Sequence, residues 1–215
     1  MTMKVFLDVE TFPPDKDDPL VRDHIGDWTE EEFRNLALNA QYGRILCIGV
    51  IIEDNNKIVR QGVLGRDKQT SQLHLDETRT LRSFWKLLSG FNPHRDLLIG
   101  FNLLDFDLHF ICTRSVIKQV KPSFEVCFAR FRQQPVFDCM WSFTHWRHRI
   151  KLDELAKVLS LESSKKNGIS GDKVYDLFLE GRHQEICNYV MDDCACTRAI
   201  YYRLNFLEET DQEGE

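Results

Sequence analysis

Two acidic residues near the start of the chain have a spacing that suits metal binding. Asp8 and Glu10 are two residues apart, at the end of an apolar run that predicts a β-strand over about residues 4–9. Because alternate residues of a strand point to the same face, the two carboxylates are expected to project together. Carboxylate oxygens are the ligands that hard divalent cations prefer. An edge strand with a solvated polar face would have the same spacing, but the apolar neighbours favour a buried strand.

A third carboxylate follows a second apolar run, at residues 97–101. Asp107 falls where this predicted strand gives way to a helix over residues 107–118, so its side chain can reach across the sheet end toward Asp8. Asp105 is a rival candidate, but the Asn-x-x-x-Phe-Asp spacing from Asn102 favours Asp107. Asp107 is also a good helix cap, and the two roles are compatible.

A fourth carboxylate lies inside a long predicted helix near the end of the chain, over residues 184–206. Tyr189 and Asp193 are four residues apart and therefore share a helix face. A buried Asp in a helix interior needs a partner, and a metal ion would supply one. Asp192 points elsewhere and is expected in solvent. For Tyr189, plain packing in the core is the alternative to a role in chemistry.

Together these three signatures resemble the exonuclease motifs of the DEDD superfamily. The histidine subgroup of that superfamily places His at the position of Asn188, whereas the tyrosine subgroup has the Tyr-x-x-x-Asp pattern of Tyr189 and Asp193. The chain is similar to the proofreading domains of family B DNA polymerases and to stand-alone predicted 3′-5′ exonucleases of that type. Further matches at Phe137-Asp138, 152–156 and 168–171 extend the resemblance over most of the chain.

The resemblance implies hydrolysis of phosphodiester bonds at the 3′ end of a single-stranded nucleic acid, with DNA favoured over RNA. It also implies two divalent cations, Mg²⁺ or Mn²⁺, that clamp the attacking water and the leaving oxygen. Tyr189 would position the water or a phosphate oxygen, and Thr11 and Asn102 would hold the terminal nucleotide. The implied metal ligands are Asp8, Glu10, Asp107 and Asp193.

A segment that mixes aromatic and basic residues runs from Trp141 to Lys151. Such interleaving suits a single strand, because bases stack on aromatic rings and phosphates pair with cations. Arg147, Arg149 and Lys151 are therefore candidates for guiding the strand, and Arg130 and Arg132 are weaker ones. The alternative, favoured for the aromatic residues, is a helix with Trp and Phe in the core.

The remaining pattern predicts one α/β domain over residues 1–207, with a ribonuclease H-like exonuclease fold and a mixed β-sheet flanked by helices. The first three strands form a meander that turns at residues 53–56. Residues 12–42 form an insertion, with a capping-box helix from Thr29 to Leu38, that either borders the site or is neutral decoration. An acidic tail, residues 208–215, is expected to be disordered. The predicted strands are 4–9, 44–52, 58–64 and 97–101, and the predicted helices are 80–89, 107–118, 153–160, 173–180 and 184–206.

The composition of the chain limits its expected location and the classes of function it can have. The apolar runs are too short to span a bilayer, the N-terminus has no signal-peptide pattern, and the seven cysteines form no C-x-x-C pair, so a cytoplasmic protein with reduced thiols is expected. The net charge of −6 argues against a general nucleic-acid coating protein. Any polymerase or repair partner would bind as a separate chain. The alternatives are a non-cleaving nucleic-acid-binding subunit, an RNA-directed exonuclease, and an endonuclease that uses the same metals.

Overall fold

A five-stranded mixed sheet forms the centre of the structure. The computed structural model describes residues 2–25, 28–164 and 168–208, so most of the predicted acidic tail lies outside the described residues. In spatial order the strands are β3-β2-β1-β4-β5, with β2 antiparallel to β1 and β3, and β4 parallel to β1 and β5. The strands are β1 (Met3–Phe12), β2 (Arg44–Asp54), β3 (Lys57–Leu64), β4 (Leu97–Gly100) and β5 (Val136–Asp138).

Helices cover both faces of this sheet. Two one-turn 3₁₀ helices, Leu36–Leu38 and Gly171–Lys173, accompany them. Among the described helices, none has the length and hydropathy that crossing a membrane requires. The α-helices are α1 (Pro19–Ile25), α2 (Glu30–Asn35), α3 (Glu77–Leu87), α4 (Asp107–Ile117), α5 (Cys139–Thr144), α6 (Leu152–Val158), α7 (Val174–Leu179) and α8 (His183–Leu204).

Every predicted strand and helix is present, with ends shifted by one to a few residues. The meander turns at Asn55 and Asn56, which both have positive φ, as a tight hairpin requires. The helix that starts after Thr29 has the expected capping box but ends at Asn35, where the 3₁₀ turn takes over. The cysteines of the described residues are free thiols, and most are buried.

β5, α1 and the first residues of α5 were not predicted. β5 has three residues, too few for an alternating pattern to register. α1 and α5 have seven and six residues, short of two full turns. The helix that was the alternative for the segment from Trp141 to Lys151 is wrong beyond Thr144, because His145 and Trp146 adopt left-handed backbone conformations that end α5.

The two faces of β1 pack against different helices. Val5, Leu7 and Val9 pack in a core with α3 and α4, whereas Phe6 packs in a second core with α8. Because side chains alternate along a strand, Asp8 and Glu10 share the face of Phe6. They therefore point to the side of the sheet that α8 covers.

Candidate active site

Strand β1 carries the first two carboxylates into the interior. Glu10 is buried and Asp8 is half-buried. The pairing with β2 shifts its register directly after Glu10, from Glu10 opposite Cys47 to Thr11 opposite Ile45. Such a bulge bends the strand and increases its twist. The two acids therefore stand at the point where β1 leaves regular pairing.

Asp107 reaches β1 by a hydrogen bond to its backbone. Pairing between β1 and β4 stops at Phe6 opposite Ile99, so β1 extends past the end of β4. There the Val9 N–H donates to Asp107 Oδ1 over 2.9 Å. Because Val9 lies between Asp8 and Glu10, this bond fixes the third carboxylate beside the first two. Asp107 is also the first residue of α4, as the sequence predicts.

Another buried carboxylate, that of Asp138, braces the loop that leads to Asp107. Asp138 accepts hydrogen bonds from the N–H groups of Asn102, Leu104 and Trp141, at 3.0 to 3.2 Å. Burial raises its pKa to about 6, against these donors, which act to lower the pKa. Asp138 thus has a structural explanation, which is the support of the loop between β4 and α4.

Asp193 and Tyr189 come from α8, and a glycine lets this helix approach the sheet closely. Gly49 lies opposite Asp8 in the ladder between β1 and β2. A Cβ added at Gly49 would lie 2.9 Å from both Cys194 Sγ and Val190 Cγ2. The absence of a side chain at this position therefore sets how near α8, and with it Asp193, lies to Asp8.

The carboxylates meet in one cluster. Asp8, Glu10 and Asp193 each offer an oxygen within 4.8 Å of the others. Burial, followed by the charges of Asp107, Asp193 and Glu10, raises the pKa of Asp8 well above its usual value. Burial and the charges of Asp193 and Asp107 do the same for the pKa of Glu10. These acids thus repel one another in a poorly solvated place.

Tyr189 completes the cluster as a neutral hydrogen-bonding group. It is buried on α8, one turn before Asp193. Burial, the negative charges of Glu10, Asp193 and Asp8, and a hydrogen bond with Asp193 raise the pKa of its phenol far above the ordinary value. The hydroxyl therefore stays protonated and can donate to an oxygen.

These side chains line a cavity of about 610 Å³, a size typical of small-molecule sites. Thr11 lies in its wall together with Phe101 and Phe106. The insertion supplies another part of the wall, so it borders the site. Insertion residues in the wall include Pro13, Glu31, Arg34, Asn35, Ala37 and Leu38.

Two cations in this wall were missed from the sequence. Arg34, in α2, forms a bidentate ion pair with Asp176 of α7, with N···O distances of 2.8 and 2.9 Å. Lys173 lies on the same α7 side. Neither residue belongs to a recognisable motif, since an Arg in an acidic helix and a Lys at the start of a predicted helix are typical of ordinary surface charges. Their place at the site follows from how the insertion and α7 fold together.

Other predicted substrate contacts lie elsewhere. Asn102 belongs to the loop that Asp138 supports, and it is not among the described residues that line the cavity. Arg147, Arg149 and Lys151 are exposed and outside that lining as well. Arg149 pairs with Asp105, two residues before Asp107 in sequence, at 3.2 Å. The basic segment thus borders the loop before Asp107 without entering the cavity.

Comparison with models of protein families assigns the chain to a family. A family model described as "Predicted 3'-5' exonuclease related to the exonuclease domain of PolB" matches residues 36–214. The chain belongs to this family. This membership agrees with the prediction of a hydrolase of the 3′-5′ exonuclease class. The match includes Asp107, Tyr189 and Asp193, whereas Asp8 and Glu10 precede it. No curated protein matches by sequence.

Solved structures of E. coli Exonuclease I resemble the fold. One of them is 13% identical, with a TM-score of 0.50 over 97% of this chain and 42% of that chain. Another, in complex with a 5cy-dT13 oligonucleotide, is 12% identical, with a TM-score of 0.49 over 95% and 40%. The chain thus spans about two fifths of these structures. The predicted ribonuclease H-like exonuclease fold is confirmed.

Proposed function

We propose that the chain is a metal-dependent 3′-5′ exonuclease of the tyrosine subgroup of the DEDD superfamily. Its substrate is the 3′ end of a single-stranded nucleic acid, with DNA favoured over RNA. The observation that carries this proposal is the meeting of Asp8, Glu10 and Asp193, with Asp107 beside them, in one cavity. Four carboxylates from three distant parts of the sequence converge there.

The donor set fits hard divalent cations. All four groups are carboxylates, and the raised pKa values of Asp8 and Glu10 show that negative charge is poorly compensated at this place. Mg²⁺ or Mn²⁺ would provide that compensation. When bound, two such cations activate the attacking water and neutralise charge at the scissile phosphate. Asp8, Glu10, Asp107 and Asp193 would hold them.

The remaining residues orient the substrate. The Tyr189 hydroxyl, kept protonated by its surroundings, can donate to the attacking water or to a phosphate oxygen. Thr11 borders the cavity next to Glu10, which supports a contact with the terminal nucleotide. Phe101 and Phe106 offer apolar surface in the same wall, suited to a base. The cavity volume suits the end of a strand better than a duplex.

The test is cleavage of a 5′-labelled single-stranded DNA with Mg²⁺ or Mn²⁺. The chain offers a matched pair of variants, since Asp193→Asn and Asp192→Asn remove the same charge at adjacent positions. Asp192 is partly exposed and lies in the wall of a different cavity. We expect a ladder that shortens from the 3′ end in the wild type and in Asp192→Asn, and none in Asp193→Asn.

Three other outcomes would change the assignment. Internal cuts would indicate an endonuclease, and cleavage of RNA but not DNA would indicate an RNA-directed exonuclease. Binding without cleavage of either strand, with both metals present, would favour a nucleic-acid-binding subunit. Equal activity of the two variants would remove Asp193 from the site.

A further inference from the structure

A second cavity, of about 520 Å³, lies among the aromatic and basic residues that precede and follow β5. Trp141 and Trp146 stack with their ring centroids 5.1 Å apart and their planes within 5°. Phe131 packs against Trp146 at 4.9 Å and is 78% exposed. These three rings, here called the aromatic platform, all line the cavity.

The platform lies in a positively charged part of an acidic chain. Residues 127–151 contain five Lys or Arg and one acidic residue, whereas the whole chain has a net charge of −6. Arg132 lines the platform cavity. Arg130 lies with its guanidinium 5.8 Å from the Trp146 ring centroid. Flat rings beside cations are the combination that binds unpaired bases together with their phosphates.

Two further observations indicate a ligand site rather than a part of the core. Phe131, His145 and Trp146 line the cavity with φ of 61°, 51° and 63°, a left-handed conformation that bulky residues adopt at a cost. Such strain concentrates at binding sites. The indole N–H of Trp141, a residue only 8% exposed, has no acceptor in the described parts of the chain.

One loop connects the platform to the active site. Asp138 lines the platform cavity, and its carboxylate holds the N–H groups of Asn102 and Leu104. The same loop continues to Phe106 and Asp107, which line the active-site cavity. Asp105, between them, pairs with Arg130 at 2.9 Å and with Arg149 at 3.2 Å. A strand leaving the active site over this loop would arrive at the platform.

We propose that the aromatic platform binds an unpaired base of the substrate strand, upstream of the 3′ end that lies among the carboxylates. Phe131 and Trp146 stack on the base, and Arg132 pairs with an adjacent phosphate. This inference rests on the proposed exonuclease function and adds a second point of attachment. It makes affinity depend on strand length, because a dinucleotide fills the active site without reaching the platform.

The test compares Phe131→Ala with Phe206→Ala. Phe206 is a matched control, since it is 96% exposed, also has a positive φ of 55°, and follows α8 rather than lining the platform. Binding of a labelled single-stranded dodecanucleotide is measured in EDTA by fluorescence anisotropy, and hydrolysis of a dinucleotide is measured with Mg²⁺ or Mn²⁺. We expect Phe131→Ala to bind the dodecanucleotide about five- to tenfold more weakly than wild type, with unchanged dinucleotide hydrolysis.

The outcomes separate this proposal from the one on which it rests. If the wild type cleaves the dinucleotide and Phe131→Ala binds the dodecanucleotide as tightly as Phe206→Ala does, the platform proposal is wrong and the exonuclease stands. An equal loss on both substrates would also overturn the platform, because the effect would then lie in the active site or the fold. A wild type that neither binds nor cleaves would overturn both proposals.

Discussion

The buried acidic residue Glu77 and the carboxylate cluster around Asp8 and Glu10 lie in different surroundings. Glu77, at the start of α3, receives two hydrogen bonds from Arg114, at 2.8 and 2.9 Å, and a third from the Ile45 N–H at 2.8 Å. Asp8 and Glu10 instead face other carboxylates, and among the described residues neither forms an ion pair with Lys or Arg. The charge of Glu77 is thus compensated by a side chain of the protein, whereas the charges of Asp8 and Glu10 need a ligand to compensate them.

The difference separates a structural role from a functional one. Removing the partner of a buried charge costs several kcal/mol, so the pair between Glu77 and Arg114 holds α3, α4 and β2 together. Buried like charges weaken the fold unless a ligand neutralises them. The fold retains such a cluster in a cavity open to solvent, which is the arrangement expected of a site that binds cations.

The largest expected effect is on activity at the uncompensated cluster. Asp8→Ala should lower the cleavage rate by about 10³-fold or more, because metal binding contributes several kcal/mol to catalysis. The stability of the fold should not decrease in this variant. The raised pKa of Asp8 means that the folded chain keeps a proton that the unfolded chain releases, so above the unfolded pKa this group lowers stability. Cleavage rates and thermal unfolding in EDTA at neutral pH measure both effects.

Two results for Asp8→Ala would contradict this account. Retention of most activity would show that Asp8 is not a metal ligand. A loss of several kcal/mol of stability in EDTA would show that Asp8 is a compensated structural charge, like Glu77.

The next effect is on stability at the compensated pair. Arg114→Leu should lower the free energy of unfolding by about 3–5 kcal/mol, because the Glu77 carboxylate would remain buried without its partner. Urea denaturation measures the loss. The double variant Glu77→Gln/Arg114→Leu should recover much of it, since no buried charge is then left. If Arg114→Leu lowers the free energy of unfolding by less than about 1 kcal/mol, the pair contributes no more than an ordinary surface ion pair does.

A smaller effect is expected where helix α8 contacts the sheet. Gly49→Ala should lower stability by about 1–3 kcal/mol, because the new Cβ would press on Val190 and Cys194. The same shift would move Asp193 relative to Asp8 and lower the cleavage rate. Gly90→Ala is the control, since a Cβ there meets nothing within 4 Å. Cleavage rates and urea denaturation are measured for both variants. If Gly49→Ala and Gly90→Ala have equal rates and equal stabilities, the contact between α8 and Gly49 does not set the spacing of the site.

The smallest effect is expected at the tyrosine. Tyr189→Phe keeps the ring and its packing but removes the hydroxyl, so cleavage should slow by about ten- to a hundredfold with little change in stability. Steady-state kinetics on a single-stranded oligonucleotide measure the change. A rate equal to that of the wild type would assign Tyr189 to core packing, which is the alternative that its burial leaves open.

Much of this account could be predicted from the sequence, because strands and carboxylates leave short-range patterns. The spacing of Asp8 and Glu10, and that of Tyr189 and Asp193, indicates shared faces without any knowledge of the fold. Each of the predicted strands and helices is present. The insertion borders the site because it follows β1 directly, where the first two acids end.

The remainder depends on contacts between distant segments, which leave no local pattern. Arg34 reaches the cavity wall only through its pair with Asp176, 142 residues away. The compensation of Glu77 by Arg114 spans 37 residues. Arg147 and Lys151 were expected either to guide the strand or to lie on the solvated face of a helix. In the structure α5 ends at Thr144, and both residues are exposed outside the cavity lining. Their role in binding remains a prediction.

The central claim is that the carboxylate cluster is uncompensated because it holds divalent cations. The most direct measurement is Mn²⁺ binding by electron paramagnetic resonance, without any substrate, to the wild type and to Asp8→Ala/Glu10→Ala. Glu180→Ala/Glu185→Ala, which removes one exposed and one partly exposed acid elsewhere, is the matched control. The account predicts Mn²⁺ binding by the wild type and the control, and its loss in the cluster variant. Equal binding by all three proteins would contradict it.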